Sequence, residues 1–507
     1  MTITNNEAPG VYVNVTTAPP SPNGNAPTGT WFVTGSAAQG PTGVAIPVSS
    51  MSQYAAYCGA RTSTSSTICD SLDEFFHDGG VQAYVSVVAG PSAVAASVVL
   101  QDTGTPSASN TLTVTAAGPG TWGNNVSIQV TNGTASYSYV ISVLNNGSIV
   151  AQSPNLFVPQ DAITWASSLP LYQVLVTFVN NGSATAAPNN NPALGVFPLT
   201  NGVDNFAGIT ETQWTNALNA FAQDLGPGQV SAPGHTTVAG YLALDAHAVA
   251  YGRVALLDVA DNASASTLVA QSTTFQSSAV APNYDPSYAA FFAPYIQIPG
   301  IYSTNPAATS PVPVRTVPPS ALAAALMAAN DQTNDANDPA AGPNGQSTYA
   351  IGVTQNYTAA NLALLNGAGI DVTKIVNGVV TLYGYRSTSL DPNWVYLNNV
   401  RFRMQVENDF DAIGEQFMFN EIDGQGHLFS RFNAALAGRC QTYWTNGSLY
   451  GSTPAQAFQV NTGPQVNTPA TIAAGQVNAE VNLHMSQFGE FVTISVVKYL
   501  VNSPFPA

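Results

Sequence analysis

Cations are scarce in this chain, and where they fall limits what it can fold into. Ten lysines and arginines serve 507 residues, against 27 aspartates and glutamates. Seven of the ten follow residue 373: Lys374, Arg386, Arg401, Arg403, Arg431, Arg439 and Lys498. Arg61, Arg253 and Arg315 are the other three, while 18 of the acids precede residue 374. Ion pairs must therefore gather in the carboxy-terminal region, and elsewhere Asn, Ser, Thr and Gln have to do the solvating.

The charged fraction is 7%, far below the usual value of about 25%. With 45% apolar residues and many aromatics, the composition is globular and unlike that of a disordered chain. The length suits roughly three domains. A net charge of −17 repels phosphate and anionic lipid, which argues against nucleic acid or a membrane surface as a partner. Cys58, Cys69 and Cys440 are an odd, widely spread set without a C-x-x-C, so reduced, buried thiols are expected. The opening Met1-Thr2-Ile3-Thr4-Asn5-Asn6-Glu7 has no basic and no apolar signal region, and the apolar stretch 238–250 is broken by Asp245 and His247. A soluble chain made in the cytoplasm is the expectation.

Five stretches differ in texture. Residues 1–28 read as an arm: Val11, Tyr12, Val13 and Val15 form a short strand tethered by Pro- and Gly-rich sequence. A lone strand cannot bury its own apolar face. Residues 29–95 read as α/β, with strands at Trp31-Phe32-Val33, at Val44-Ala45-Ile46 and over 81–88. Ser50 or Ser49 would cap a first helix, and Ser71-Leu72-Asp73-Glu74 lies in or opens a second that ends at Gly79-Gly80. Residues 96–200 read as an inserted β-sandwich-like module. In it Val126, Ile128 and Val130 alternate with polar residues, as do Tyr137, Tyr139, Ile141 and Val143, and 171–179 is a further strand. Residues 201–377 return to α/β, with helices over 212–221, 237–250, 319–327 and 358–365 and a buried strand at 254–259. Residues 378–507 are expected to hold a strand, a helix opening at Asp391-Pro392, a helix through His427, and strands over 476–483 and 491–499. The fold class is thus α/β (α+β), multidomain, with a mixed-sheet core, the β-rich insertion and extended arms at both ends.

Motifs that could carry chemistry are weak. Gly118-Pro119-Gly120-Thr121-Trp122-Gly123 matches G-x-G-x-x-G, but a strand follows where a dinucleotide site needs a helix, so it reads as a Gly-rich turn. The five histidines are scattered and no Ser sits in a G-x-S-x-G elbow. Asp331, Asp335 and Asp338 read as a solvated acidic loop. Glu407, Asp409, Asp411, Glu415, Glu421 and Asp423 lie close to Arg401 and Arg403, which suggests ion pairing within the helix or to another subunit. Arg386, Arg401 and Arg403 with Glu407, Asp409 and Asp411 are accordingly the candidate interface pairs. No enzyme, metal site or cofactor is expected. Both ends instead offer strand material for another chain: Val11, Tyr12, Val13 and Val15 at one, Val477, Val481, Phe491, Ile494 and Val496 at the other. At about 0.5–1.5 kcal/mol per hydrogen bond, each lent strand would contribute a few kcal/mol.

These pieces, in their order, resemble the contractile phage tail sheath proteins. The resemblance rests on Pro9-Gly10-Val11-Tyr12-Val13; on Phe75-Phe76-His77-Asp78-Gly79-Gly80-Val81; on Gly118 to Asn125 at the opening of the insertion; and on Tyr383-Gly384-Tyr385-Arg386-Ser387-Thr388. It continues through Phe417-Met418-Phe419-Asn420, Gly447-Ser448-Leu449-Tyr450-Gly451 and Glu490-Phe491. Tyr385 and Ser387 depart from the family's usual Ala and Thr, and Phe488-Gly489 stands where Pro-Ala is common. The resemblance implies stacked hexameric rings around a tail tube, with arms adding strands to neighbouring copies, contraction without nucleotide, and baseplate and tail-terminator partners. The carboxy-terminal domain would face the tube and the insertion the outside. It also implies a place in the virion after assembly in the host cytoplasm. A related contractile injection particle or bacteriocin sheath, a static surface-layer or fibre protein, and a hydrolase using one acidic cluster are the rival readings.

Overall fold

A computed structural model describes residues 28–300 and 314–491. Val11, Tyr12, Val13, Val15, Ile494 and Val496 lie outside the described residues.

The centre is an eight-stranded sheet: β1 (Trp31–Gly35), β2 (Ile46–Val48), β3 (Ala83–Val87), β4 (Gly228–Ser231), β5 (Arg253–Asp258), β6 (Ala289–Ala293), β7 (Ile370–Val376) and β8 (Val379–Leu382). Its order is β8-β7-β6-β5-β4-β1-β3-β2. The six inner strands are parallel, and antiparallel β8 and β2 close the two edges. A parallel sheet needs both faces covered, so its strands read as unbroken apolar runs. On β5, Val254 and Leu256 enter one core with Trp31, Val33 and Phe292; Ala255 and Leu257 enter the other with Phe32 and Phe291.

The first face is covered by α1 (Met51–Cys58), α2 (Ser66–His77) and, further along, an Ala-rich helix; the second by α3 (Val238–Tyr251) and α4 (Ala265–Ser278). The Ala-rich helix, α5 (Pro319–Asp331), is almost wholly buried, since its methyl side chains let neighbours approach from every side. A Cβ on Gly29 would stand 2.8 Å from the Ala328 backbone, so only glycine fits there. Side-chain caps open several helices: Ser50 accepts from Gln53, Thr237 from Gly240, Ser264 from Thr267 and Thr358 from Asn361. Ser71 lies inside α2 and caps nothing. The N-terminus of α5 is held by Asp258 at the end of β5, which accepts from the Ser320 amide at 2.7 Å, its hydroxyl at 2.8 Å and the Gly234 amide at 3.0 Å.

The insertion interrupts the chain between β3 and β4. A three-stranded sheet (Ser97–Gln101, Asn110–Ala116, Val176–Asn180) and a four-stranded one (Val126–Asn132, Tyr139–Asn145, Ser148–Gln152, Gly195–Pro198) are both antiparallel and share one apolar core. The hairpin at Asn146-Gly147 has both residues at positive φ, as the Asn-Gly pair requires. One expectation fails here and one element was missed. Leu171–Val174 forms a helical turn with Leu175 left-handed behind it, and the strand begins only at Val176. A short buried apolar run does not by itself distinguish strand from helix. The helix Pro159–Ser167 went unread, although Pro159 and Asp161, whose carboxylate takes the Phe157 and Val158 amides, mark its start.

In the carboxy-terminal region α6 (Leu397–Glu415) starts later than Asp391-Pro392 suggests, and α7 (His427–Thr445) starts where expected. Asp391 accepts from the Asn393 amide two residues on, an Asx turn that competes with helix capping. Only Glu480–Leu483 of the expected strand 476–483 pairs, with Phe458–Asn461 of the same chain, placing Val481 opposite Val460. Val477 is outside the strand. The Asn467 side chain takes both the amide and the carbonyl of Asn478, removing groups that a ladder would use.

Asp245 on α3 is fully buried; Oδ2 accepts from the Asp285 amide, while Oδ1 has no partner among the described residues. Burial raises its carboxyl to about 7, above its value in the unfolded chain. The folded state therefore binds this proton more tightly, so the stability it lends is complete at acid pH and is lost as pH rises through about 7. Asp245→Asn should remove that loss. Urea unfolding should show the variant gaining about 2–3 kcal/mol on the parent between pH 5 and pH 8.

Candidate functional site

The two ends of the described body are each fixed by an arginine–carboxylate contact. At the amino-terminal root, Thr28 Oγ1 donates to Asp331 Oδ2 at 2.5 Å. The same oxygen takes Arg401 Nη2 at 2.5 Å, and Arg401 Nη1 donates to Tyr385 Oη at 3.0 Å. Thus the C-terminus of α5, the start of α6 and the segment after β8 meet the chain just before β1. Arg401 is 1% exposed. Burial opposes its charge, but Asp331 outweighs that, and the guanidinium titrates higher than usual. Burial raises the Tyr385 hydroxyl to about 12.

At the carboxy-terminal root, Arg386 grips Glu490 with two parallel bonds, Nε to Oε1 at 2.7 Å and Nη2 to Oε2 at 2.6 Å. This fork geometry adds specificity as well as strength. Asn366 Nδ2 and Tyr396 Oη also donate to Glu490, and the Arg386 amide donates to Asp371 Oδ1. Asp371 is buried, with no partner for Oδ2 among the described residues, and burial pushes its carboxyl well above the usual range. Phe488 packs on Tyr396 with ring centroids 5.0 Å apart, and Phe491 then stands exposed.

The other carboxylates that the sequence marks out are also drawn inward. Asp409 on α6 takes Arg439 Nε and Nη2 at 2.9 and 2.5 Å and the Tyr443 hydroxyl, pinning α7 to α6. Arg403 lies between the rings of Tyr288 and Trp394, and Glu407 is 3.9 Å away. Asp411 stays exposed on α6. Read as candidates for pairing between subunits, Arg386, Arg401 and Asp409 prove to be paired inside the chain at short range. The solvated acidic loop is likewise corrected: Asp331 carries Arg401, and buried Asp335 accepts from Ser448 Oγ at 2.8 Å, Asn446 and Gln405. Asp331 and its role were missed because the Ala-rich stretch was read to stop at Met327, which left the carboxylate in a loop.

Beside the carboxy-terminal root is a small sheet. Phe458–Asn461 is backed by α7, whose Asn433 donates to the Val460 carbonyl. Glu480–Leu483 pairs on one side only, among the described residues, and the chain then bridges Leu449 to Met485. A groove of about 920 Å³ opens next to it, lined by Trp394, Asn399, Tyr450, Leu483, His484 and Met485.

The Gly118–Gly123 motif is a seam between insertion and core. A single 3₁₀ turn, Thr121–Asn125, leads directly into the strand, and Asp204 takes the Thr121 amide and hydroxyl. A carboxylate of the chain thus sits where a phosphate would be bound. His247 accepts from buried Arg253, and burial lowers it to about 3; His235 pairs with Glu211 at 2.9 Å. Among the described residues no group of three or more His, Cys, Asp or Glu could hold a metal ion, and no helix is long and apolar enough to cross a membrane.

No protein-family model and no curated protein matches the chain. Solved structures do. A sheath tail protein from Listeria innocua superposes with a TM-score of 0.57 at 12% identity, over 87% of this chain and 89% of that one. A sheath tail protein from Desulfitobacterium hafniense gives 0.51 at 16% identity, over 89% and 93%. The sheath complex of an extracellular contractile injection system, PVC, in the contracted state gives 0.53 at 15% identity, over 98% of both chains. At such identities the likeness is one of fold, and this chain has the fold of those sheath proteins.

Arg401→Ala leaves Asp331 buried without its counter-ion and should lower the unfolding free energy by about 3–5 kcal/mol in urea titrations. Glu490→Ala removes a contact at the edge of the body. Limited proteolysis should cut after residue 490 several-fold faster, while the melting temperature moves by less than about 4 °C.

Proposed function

We propose that this chain is the structural subunit of a contractile tail sheath. It polymerises as stacked hexameric rings around a tail tube and drives that tube forward when the rings contract. The supporting observation is the likeness to sheath proteins over 87–98% of the chain, a contracted sheath among them, which takes in insertion, core and carboxy-terminal region together.

In this reading the body moves as a unit and the ends connect it to its neighbours. Val11, Tyr12, Val13 and Val15 of one copy, and Phe491, Ile494 and Val496 of another, add strands to the small sheet whose Glu480–Leu483 edge has no partner strand among the described residues, with Val481 on that strand. The clamps at Thr28 and Glu490 then carry load: a pull on either arm reaches the sheet core through Asp331–Arg401 or Arg386–Glu490. Main-chain bonds suit a chain of net charge −17, because strand addition needs no opposite charge across the joint. A few kcal/mol per lent strand becomes a firm lattice once many copies are linked. Tube, baseplate and terminator proteins are the expected partners, with no nucleic acid and no membrane insertion. The virion is the expected location, after assembly in the host cytoplasm.

A second reading, the sheath of an extracellular injection particle, draws support from the likeness to PVC and to the anti-feeding prophage helical sheath, which gives a TM-score of 0.53 at 15% identity over 97% of this chain. Particles carrying a DNA-filled head would favour the phage tail, and headless particles the second reading.

Negative-stain microscopy of the purified chain should show tubes or short stacked rings. Removing residues 1–20 should leave a folded monomer that builds no long tubes. Unchanged polymerisation of the truncated chain would remove the arm from this account.

A further inference from the structure

The turn between α6 and α7 is built against the interest of the isolated molecule. After Glu415 the chain runs through Phe417, whose ring packs on Phe432 at 5.0 Å, and then turns Met418 and Phe419 outward. Phe419 is 99% exposed and Met418 61%. Phe419 also has φ +59, the left-handed region that a helix end normally gives to Gly or Asn. The turn is held in place: Asn420 Nδ2 donates to the Gln416 carbonyl, and Asp423 takes the His427 and Leu428 amides at the start of α7.

The charges around this apolar tip are mostly acidic. Asp411 and Glu415 are one helical turn apart, both exposed, and Glu415 ends α6 at the negative pole of its dipole, with no basic residue in the last turn. Glu421 is exposed just beyond Phe419. Arg431, with its guanidinium 5.8 Å from the Phe417 ring centroid, is the nearby cation.

We propose that Met418 and Phe419 are the apolar plug of a docking surface for a different protein, one with an apolar socket rimmed by lysine or arginine. A second copy of this chain does not fit that description. Among the described residues Arg61, Arg315, Arg386, Arg401, Arg403 and Arg439 face carboxylates of their own chain, Arg253 is buried, Lys374 lies over the Tyr383 ring, and Arg431 stands beside Phe417 of this same turn. The sister surface is acidic, so the acidic rim of the tip would be repelled there.

The inference rests on the assembly reading above and is tested in particles made with the full set of native particle proteins. With p-benzoylphenylalanine in place of Phe419, irradiation should join the chain to a different polypeptide, through a peptide of net positive charge. Raising NaCl from about 50 to about 500 mM should cut the yield at least about threefold. Phe419→Gly should leave the melting temperature of the isolated chain equal or higher, because glycine accepts the left-handed backbone, and should lower the partner's occupancy on the particle at least about tenfold. Crosslinks only to sister copies, no crosslink, or full occupancy with the glycine variant would overturn the proposal. Micrographs of the same samples separate the two failures: absent particles count against the assembly reading too, whereas intact particles without this crosslink count against the docking surface alone.

Discussion

The Arg401–Asp331 contact fixes the relation between the parts of this molecule. One carboxylate oxygen receives a guanidinium from α6 and a hydroxyl from the residue that leads into β1, at the end of a helix buried across the sheet. Desolvating such a pair is expensive, and a well-packed apolar substitute would often be as stable. What the ion pair adds is direction. An arginine fork accepts few geometries, so the carboxy-terminal helices and the first strand are set at one angle to each other.

The same economy runs through the rest of the chain. Arg315 joins Asp70 and Asp73 of α2 to the segment before α5, and Arg386 ties Glu490 to the segment that follows β8. Arg253 reaches no carboxylate; it donates to the Phe221, Ala222 and Gly226 carbonyls and to His247, with its plane 3.7 Å from the Phe32 ring. Cations thus join sequence-distant segments inside the fold, and little positive charge remains for the surface. If copies of such an acidic, internally paired body join as proposed, main-chain hydrogen bonds and apolar contact are what they have left to use. Strand lending fits that restriction, and a basic partner at the α6–α7 turn fits its complement.

The insertion and core keep separate apolar cores but meet at a seam of close backbone approaches. A Cβ on Gly118 would stand 2.1 Å from the Gly40 carbonyl oxygen, and one on Gly202 2.3 Å from that of Gly120. Glycines that look like a phosphate-binding motif are thereby explained by packing.

Much of the fold could be read in the residues because local rules and burial agreed there. The unbroken apolar run Val254-Ala255-Leu256-Leu257 announced a buried strand, alternation at Val126, Ile128 and Val130 announced a half-polar sheet, and the Ser49-Ser50 pair and Thr358 marked helix starts. The resemblance in motif order also led to the right fold. Local rules failed where a side chain competed for the main chain: Asn467 captured the Asn478 main chain and shortened a strand, and Asp391 closed a turn with the Asn393 amide two residues on. The scarcity of cations and their gathering after residue 373 were plain in the sequence, and they fixed that a few ion pairs would matter. Which acids they reach was decided only by the tertiary structure, because partners 70 residues apart, as Arg401 and Asp331 are, or 104, as Arg386 and Glu490 are, meet only after sheet and helices have packed.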